Sequence, residues 1–213
     1  MAERREEKWV EQIRDLLNEH FKGTEQPRLH AATQVKLPYG IMISEFKIKE
    51  NPKENGKLTL IFDDKSESAK NDTYTTDLLI YEDSPNNAGN IIPRVVIEAK
   101  IEDASTHDMI TYARKAVMHR ALMPFLRYGI MIGAHKSDVL TWKHFAHGTD
   151  FDFMFSFKAE DPDENEREDF IEIVDSEIKS SQNLEKMFSS KNQKLDIYGV
   201  HRNLDVYPKP TKK

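Results

Sequence analysis

The segment Pro93-Arg-Val-Val-Ile-Glu-Ala-Lys100 sets the architecture, because three β-branched residues lead directly into two charged ones. Such an apolar run is typical of a strand that leaves the core of a sheet. Alternation along a strand places Glu98 and Lys100 on one face and turns Ala99 to the other. Twenty residues separate Glu98 from Asp77, which opens another apolar run. If the two runs are antiparallel neighbours, Asp77 lies across from Glu98 and Lys100, and three charged groups converge at one end of the sheet.

The periodicity on both sides of this segment predicts an α/β fold with a mixed central sheet flanked by helices. A helix and a meander of strands come first, and a second helix is followed by a buried strand, which implies a crossover connection. The predicted elements are a helix over 3–21, strands over 41–49, 58–62, 74–82 and 91–100, a helix that starts at Ser105 or Thr106 and is ended by Pro124, and a strand over 128–134. Further strands are predicted over 138–142 and 151–157.

Turn-forming and charged residues mark the connections. A hairpin turn is predicted over 49–56, a mobile polar loop over 63–73 and a turn over 83–90. The acidic stretch 160–169 is predicted to be an exposed loop, 170–188 has partial helical spacing, and the Lys-rich end is predicted to fray. These features divide the chain into a core over 1–158 and an extension of the same domain over 159–213, which consists of the acidic loop and a helical, basic end.

The composition limits the classes of function. With 213 residues, of which 38% are hydrophobic and 32% charged, the chain is long enough for one ordinary domain. It contains no cysteine, which excludes disulfides, thiolate nucleophiles and cysteine zinc sites. No apolar run approaches the roughly eighteen residues of a membrane span, and the amino terminus lacks the apolar stretch of a secretory signal. A cytoplasmic protein without a membrane partner is therefore expected.

The negative charge is concentrated in one segment. The net charge is −6, but residues 160–177 contain ten Asp or Glu against one Arg, which leaves 30 basic and 27 acidic side chains elsewhere. Residues 178–213 carry eight basic and three acidic side chains. A polyanion such as nucleic acid is therefore compatible with a basic surface of this chain despite its acidic total.

Two carboxylates at the exit of a buried strand need a cation, because their desolvation is costly. Mg²⁺ favours carboxylate and carbonyl oxygens, so Asp77, Glu98 and the backbone carbonyl of Ala99 would form a suitable partial shell. Lys100 would then orient the attacking water or offset the charge that develops on phosphorus. Mn²⁺ is the expected substitute for Mg²⁺. The pattern predicts metal-assisted hydrolysis of phosphodiesters.

The combination of Asp77 with Glu98-Ala-Lys100, in a chain ordered helix, meander, helix, strand, resembles the PD-(D/E)xK nuclease superfamily, which includes many restriction endonucleases. Thr76 stands where a proline often precedes the aspartate in that superfamily. The resemblance implies a restriction-endonuclease-like core in which Asp77, Glu98 and Lys100 are catalytic and Asp77, Glu98 and Ala99 hold the metal.

Within the superfamily, four segments look most like the nuclease domains of type I restriction enzyme R subunits. They are Asp77-Leu-Leu-Ile-Tyr, Val-Val-Ile-Glu98-Ala-Lys100, Tyr112-Ala-Arg-Lys-Ala and Tyr128-Gly-Ile-Met-Ile-Gly. Those domains often carry Gln-x-x-x-Tyr on the second helix. Here Tyr112 is present and Asp108 stands in the place of the glutamine. The chain has no helicase motif, so the resemblance covers only the nuclease part of an R subunit.

Several other residues have a functional and a structural interpretation. Arg114 and Lys115, near the start of the second helix, are the preferred candidates for phosphate contacts, although a solvated helix face is the simpler interpretation of each. For the remaining candidates the structural interpretation is favoured: helix capping over catalysis for His107 and Asp108, surface charge over metal binding for Glu6, an ordinary strand residue over an alternate ligand for Glu45, and a loop over a zinc site for His144 and His147.

The predicted function is therefore that of a Mg²⁺-dependent endonuclease acting on DNA in restriction or a related defence system, with RNA as an alternative substrate. Cleavage of both strands of a duplex would favour a homodimer or a larger restriction complex. Two other hypotheses stay open: a catalytically inactive nuclease-fold module that binds nucleic acid or a protein partner, and a structural protein whose acidic loop binds a partner. The chain lacks the glycine-rich motifs that cradle nucleotide phosphates, so nucleotide-driven activity is not predicted.

Overall fold

The computed structural model describes residues 2–24, 28–43, 47–51, 57–61, 69–85, 89–137 and 139–189. In chain order its elements are α1 (Ala2–Lys22), β1 (Leu29–Ile43), β2 (Lys47–Asn51), β3 (Lys57–Ile61), β4 (Ala69–Asp83), β5 (Ile91–Ile101), α2 (Thr106–Leu122), β6 (Arg127–Gly133), α3 (Trp142–His147), β7 (Phe153–Ser156) and α4 (Glu164–Ser189). None of the helices within these described ranges combines the length and apolarity needed to cross a membrane.

A mixed five-stranded sheet with the strand order β1-β4-β5-β6-β7 forms the centre of the fold. β4 pairs antiparallel with β1 and β5, whereas β6 pairs in parallel with β5 and β7. Parallel neighbours need a crossover, and α2 provides it between β5 and β6. The predicted α/β class, mixed sheet and flanking helices are confirmed, as is the antiparallel pairing of the two apolar runs. β2 and β3 form a separate two-stranded sheet.

Each face of the large sheet has its own core and its own helices. On one face, α1 buries every fourth residue against the sheet, namely Trp9, Ile13, Leu17 and Phe21. Apolar residues of α4 pack into the same core. Burial of each such side chain contributes about 1.5–3 kcal/mol. α1 lies close to β6 because Gly133 has no side chain: a Cβ there would lie 2.7 Å from the Trp9 ring. We call this side the α1/α4 layer.

The opposite face is covered by α2, with α3 packed against it, and we call this side the α2/α3 layer. Ser105 is the N-cap of α2 and forms a capping box with Asp108, so the predicted start of this helix and the capping role of Asp108 are confirmed. The helix ends at Leu122, just before Pro124, as predicted. Its buried residues include Ala113 and Ala116, whose small side chains bring the helix close to the sheet.

Two strand boundaries differ from the prediction. The single strand predicted over 41–49 was wrong: residues 41–43 end β1, which begins at Leu29, and residues 47–49 begin β2, in a separate sheet. The first half of β1 escaped prediction because Ala31, Ala32 and Gln34 have little strand propensity. β4 begins at Ala69, so residues 69–73 belong to a strand instead of the predicted polar loop, and they pair with the end of β1. Hydrogen-bonded pairing with β1 stabilises residues 69–73 as a strand although their own strand propensity is low.

Three other predictions were wrong. Residues 139–142 form no strand, and α3 begins at Trp142. His144 and His147 therefore lie in a helix and not in a loop. The acidic stretch is helical from Glu164 onward, because Glu166 accepts hydrogen bonds from the backbone N–H groups of Lys158 and Asp163 and anchors the first turn of α4. The strand predicted over 151–157 is confirmed by β7.

Some predictions fall on residues outside those that the structure describes. They concern Glu45, the hairpin turn over 52–56, most of the loop over 62–68 and the basic end over 190–213. At the predicted turn over 83–90, the backbone N–H of Ser84 donates to the carbonyl of Asn90 at 2.9 Å, which closes the connection between β4 and β5.

Candidate active site

The sheet brings Asp77 and Glu98 side by side. The β4–β5 register pairs Leu78 with Ile97, so the next residues along, Asp77 and Glu98, face each other across the two strands. Asp77 Oδ2 accepts a hydrogen bond of 2.9 Å from the backbone N–H of Ala99. Asp77 is half-buried and Glu98 is completely buried. The predicted meeting of these two carboxylates is present in the structure, but Asp77 lies in the middle of β4, where the β4–β5 pairing ends and β4 continues paired with β1.

The backbone has left-handed φ angles at two residues near Asp77 and Glu98. Opposite Asp77 on β1, Gln34 adopts a φ of 56° and interrupts the ladder between Thr33 and Val35. Just beyond the end of β5, Glu102 has a φ of 69°. Left-handed conformations of residues other than glycine are uncommon and concentrate at functional sites.

The two carboxylate oxygens of Glu98 differ in their hydrogen-bond partners. Oε1 accepts hydrogen bonds from the Tyr128 hydroxyl at 2.5 Å and from Lys115 Nζ at 3.2 Å. Oε2 is buried and has no hydrogen-bond partner among the residues that the structure describes. Burial raises the pKa of Glu98 to about 7, with a further rise caused by the Asp77 charge, while Lys115 and Tyr128 oppose the shift. A buried oxygen without a partner is costly unless something binds it.

Lys100 extends to the same end of the sheet and contacts α1. Its Nζ donates to Glu6 Oε1 at 3.1 Å, while Glu6 Oε2 accepts from the backbone N–H of Ile101 at 3.3 Å. Burial alone would lower the pKa of Lys100, but the Tyr112 and Glu6 groups raise it above its ordinary value. Lys100 is therefore a protonated donor at neutral pH. Glu6, interpreted from the sequence as surface charge, is instead tied to this lysine.

Aromatic rings surround the two lysines. Lys115 Nζ lies 4.8 Å from the centroid of the Tyr112 ring and 5.6 Å from that of Tyr74. Lys100 Nζ lies 5.7 Å from the Tyr112 centroid. Cation–π contacts of this kind hold ammonium groups in place at the border of a carboxylate cluster.

The two candidate phosphate-binding residues, Arg114 and Lys115, lie in different environments. Lys115 points into the cluster and binds Glu98, whereas Arg114 is exposed on α2. Sequence reasoning missed Tyr128 as a partner of Glu98. The signal was a tyrosine inside an otherwise apolar buried strand, since a buried phenol almost always needs a hydrogen-bond partner.

The residues fit a divalent cation. Two adjacent carboxylates, one with a buried oxygen that nothing described binds, form a hard oxygen donor set of the kind that Mg²⁺ prefers. Burial is the main cause of the raised pKa of Glu98 and repulsion from Asp77 the second, and a bound cation would relieve that repulsion. Asp77 and Glu98 would hold the ion, with the Ala99 carbonyl as a third donor.

A second cluster joins Asp103, His135 and His144, whose ligand atoms lie within 4.8 Å of one another. The backbone N–H of Thr141 donates to His144 Nδ1 at 2.9 Å, so the neutral ring carries its proton on Nε2, the atom 3.7 Å from Asp103. A metal needs a lone pair at that atom. Lys143 also binds both oxygens of Asp103, at 2.7 and 2.6 Å. This cluster therefore suits a bridging water better than a metal ion.

The chain matches no protein-family model, no curated protein and no solved structure. A functional interpretation must therefore start from the carboxylates, the lysines and the tyrosines that meet at this end of the sheet.

Proposed function

We propose that this protein is a Mg²⁺-dependent nuclease with a restriction-endonuclease-like core, which hydrolyses DNA phosphodiester bonds in a cytoplasmic restriction or related defence system. The observation that supports it most is the buried Glu98 oxygen without a partner beside Asp77, with Lys100 at the same end of the sheet. A charged lysine and a pair of carboxylates are the groups that metal-assisted phosphodiester hydrolysis requires.

Each side chain has a distinct role in the proposed reaction, in which water attacks phosphorus and the bond to the leaving oxygen breaks. Asp77 and Glu98 would hold the cation, and the Tyr128 hydroxyl fixes the orientation of Glu98. Lys100 stays protonated, so it donates a hydrogen bond to the attacking water or to a phosphate oxygen and does not act as the base. When bound, the cation would supply Lewis-acid stabilisation of the phosphate and would lower the pKa of a water.

Cleavage of supercoiled plasmid and of single-stranded DNA in Mg²⁺ tests the proposal. Asp77→Asn and Lys100→Met should each lower the cleavage rate by about 100-fold or more, because each removes a group that stabilises charge in the transition state. Lys179→Met, on the exposed side of α4, is the matched control and should cleave like the wild type. Circular dichroism and melting curves check that the variants fold. Cleavage at the wild-type rate by either site variant would refute the assignment.

A module that keeps this architecture without cutting is the second candidate, and one contact favours it. Lys115 already forms an ion pair with Glu98, so part of the charge that a metal would neutralise is neutralised by the chain itself. Calorimetric titration with Mn²⁺ separates the two candidates. The nuclease should bind Mn²⁺ in the wild type and lose this binding in Asp77→Asn, whereas a non-cutting module need not bind it in either form.

A further inference from the structure

Two large aromatic side chains stand exposed on the six-residue helix α3. Trp142 is 76% exposed and Phe145 is 55% exposed. Seven large apolar side chains are exposed in the described part of the chain, and five of them lie on α2, on α3 or just before α3. Folded proteins seldom group such side chains on an open surface unless the surface binds something. We call Trp142 and Phe145 the exposed aromatic pair.

A short series of contacts along the chain links α3 to the candidate active site. Lys143, next to Trp142, binds both carboxylate oxygens of Asp103 at 2.7 and 2.6 Å. Asp103 follows Lys100 by three residues, and three residues of extended chain span at most about 10 Å. α3 also packs against α2, the helix that carries Lys115. A DNA strand held at Lys100 therefore reaches the exposed aromatic pair within a few nucleotides.

An exposed arginine on α2 is available to a polyanion. α2 and α3 together contain four Lys or Arg and one Asp, but Lys115, Arg120 and Lys143 form ion pairs with Glu98, Asp152 and Asp103. The single acid, Asp108, is held in the capping box with Ser105. Arg114 is exposed and forms no ion pair with any residue that the structure describes. Positive charge beside exposed aromatic rings is the combination found on surfaces that bind single-stranded nucleic acid.

From this arrangement we propose that Trp142 and Phe145 stack on unpaired bases of a single-stranded DNA segment that enters the candidate active site. Entry of the DNA into that site rests on the proposed nuclease function. Unpaired bases expose a π-face to an aromatic ring, whereas bases in a duplex are already stacked on one another. The surface therefore selects single-stranded segments over intact duplex. An apolar protein partner would use the rings but would have no need of the exposed Arg114.

The two tryptophans provide the measurement. Trp9 is 1% exposed and Trp142 is 76% exposed, so quenching of tryptophan fluorescence by an added oligothymidylate reports on Trp142. Titrations in EDTA separate binding from cleavage. Trp142→Ala should weaken single-strand binding, measured by fluorescence anisotropy, by about 5- to 100-fold, the range expected for loss of one base stack. Phe145→Ala should act in the same direction. Binding of a duplex of equal length should change less than about threefold.

Phe188→Ala on α4 is the matched control, because Phe188 is also exposed but lies outside the α2/α3 layer. Unchanged single-strand binding in Trp142→Ala, or an equal loss of duplex binding, would overturn the inference. So would light scattering that shows a dimer in the wild type and a monomer in Trp142→Ala, because a second copy would then cover the surface. If the wild type binds single strands with quenching but never cleaves, the proposed function fails and this inference stands.

Discussion

The helices on the two faces of the central sheet differ in charge. α1 and α4 together contain 14 Asp or Glu and eight Lys or Arg, a net charge of −6. α2 and α3 contain one Asp and four Lys or Arg, of which three pair with acids on other elements and Arg114 is exposed. The acidic α1/α4 helices would repel DNA, whereas the α2/α3 helices carry no excess of acid and lie beside the candidate active site. The net charge of the whole chain hides this difference, which indicates the side from which a polyanion would approach.

The α1/α4 layer owes its attachment in part to a buried ion-pair network, and disrupting it should give the largest change in stability. Arg94, on β5, is buried and binds Glu82 at 2.7 Å and Glu185 of α4 at 2.7 Å. Arg94→Met should lower the free energy of unfolding by about 3 kcal/mol, because it removes the buried partner of Glu82 and leaves that carboxylate paired with Arg28, whose side chain is half exposed. Urea denaturation measures the loss.

The matched control for this variant is Arg167→Met. Arg167 pairs with Asp161 on the surface of the same layer, and removal of an exposed pair should cost less than about 1 kcal/mol. At temperatures where Arg94→Met is folded, its affinity for DNA should equal that of the wild type. A loss of DNA affinity in the folded variant would contradict the division of roles between the two layers.

On the α2/α3 side, the buried carboxylate of Glu98 should make the free energy of unfolding depend on pH. In the unfolded chain the pKa of Glu98 is near 4.3, and in the folded protein burial followed by the Asp77 charge raises it to about 7. Between these values the folded state retains a proton that the unfolded state has released. Stability without metal is therefore highest below the unfolded pKa and falls as the pH rises toward 7, by up to about 3 kcal/mol.

Melting curves in EDTA between pH 5 and 8 measure this effect, with Glu98→Gln as the comparison. The variant has no charge to titrate, so its stability should decline less over this interval. His119 acts in the opposite sense: burial lowers its pKa, and its contribution to stability is lost as the pH falls below about 6.5. Comparison of wild type and variant at each pH removes this contribution. Parallel pH profiles would show that Glu98 is not the group responsible.

The central sheet and the charged cluster could be predicted because their signals are local. Three β-branched residues before Glu98, and the apolar run after Asp77, define two strands whose antiparallel pairing follows from their order. The capping box at Ser105 was equally readable, since cap residues act within one turn of a helix.

Other contacts could not be predicted because they join distant parts of the chain. Tyr128 is 30 residues from Glu98, and Glu6 is 94 residues from Lys100. No periodicity encodes such a meeting. The start of α4 was missed for a different reason: its high acidic content is typical of a solvated loop and drew attention away from a local signal. Asp163 and Glu166 each accept a hydrogen bond from the other's backbone N–H, which is a capping box.

The smallest expected effect comes from reversing one exposed charge on each of the two layers. Arg114, exposed on α2, and Lys179, exposed on α4, are the matched pair. Arg114→Glu should weaken DNA binding by about tenfold at low salt and reduce the slope of log affinity against log salt by about one, as expected for one lost phosphate contact. Lys179→Glu makes an equal change in net charge and should leave both quantities unchanged. Fluorescence anisotropy across a salt series in EDTA provides the two slopes.

The comparison of slopes distinguishes a contact from a general field. If DNA senses only the net charge of the protein, both reversals should weaken binding alike, because at low salt the field of the whole molecule is poorly screened. If DNA lies on the α2/α3 layer, only Arg114→Glu should change the slope, since the slope counts released counterions and not distant charge. Equal slopes in the two variants would mean that the charge difference between the layers plays no part in where DNA binds.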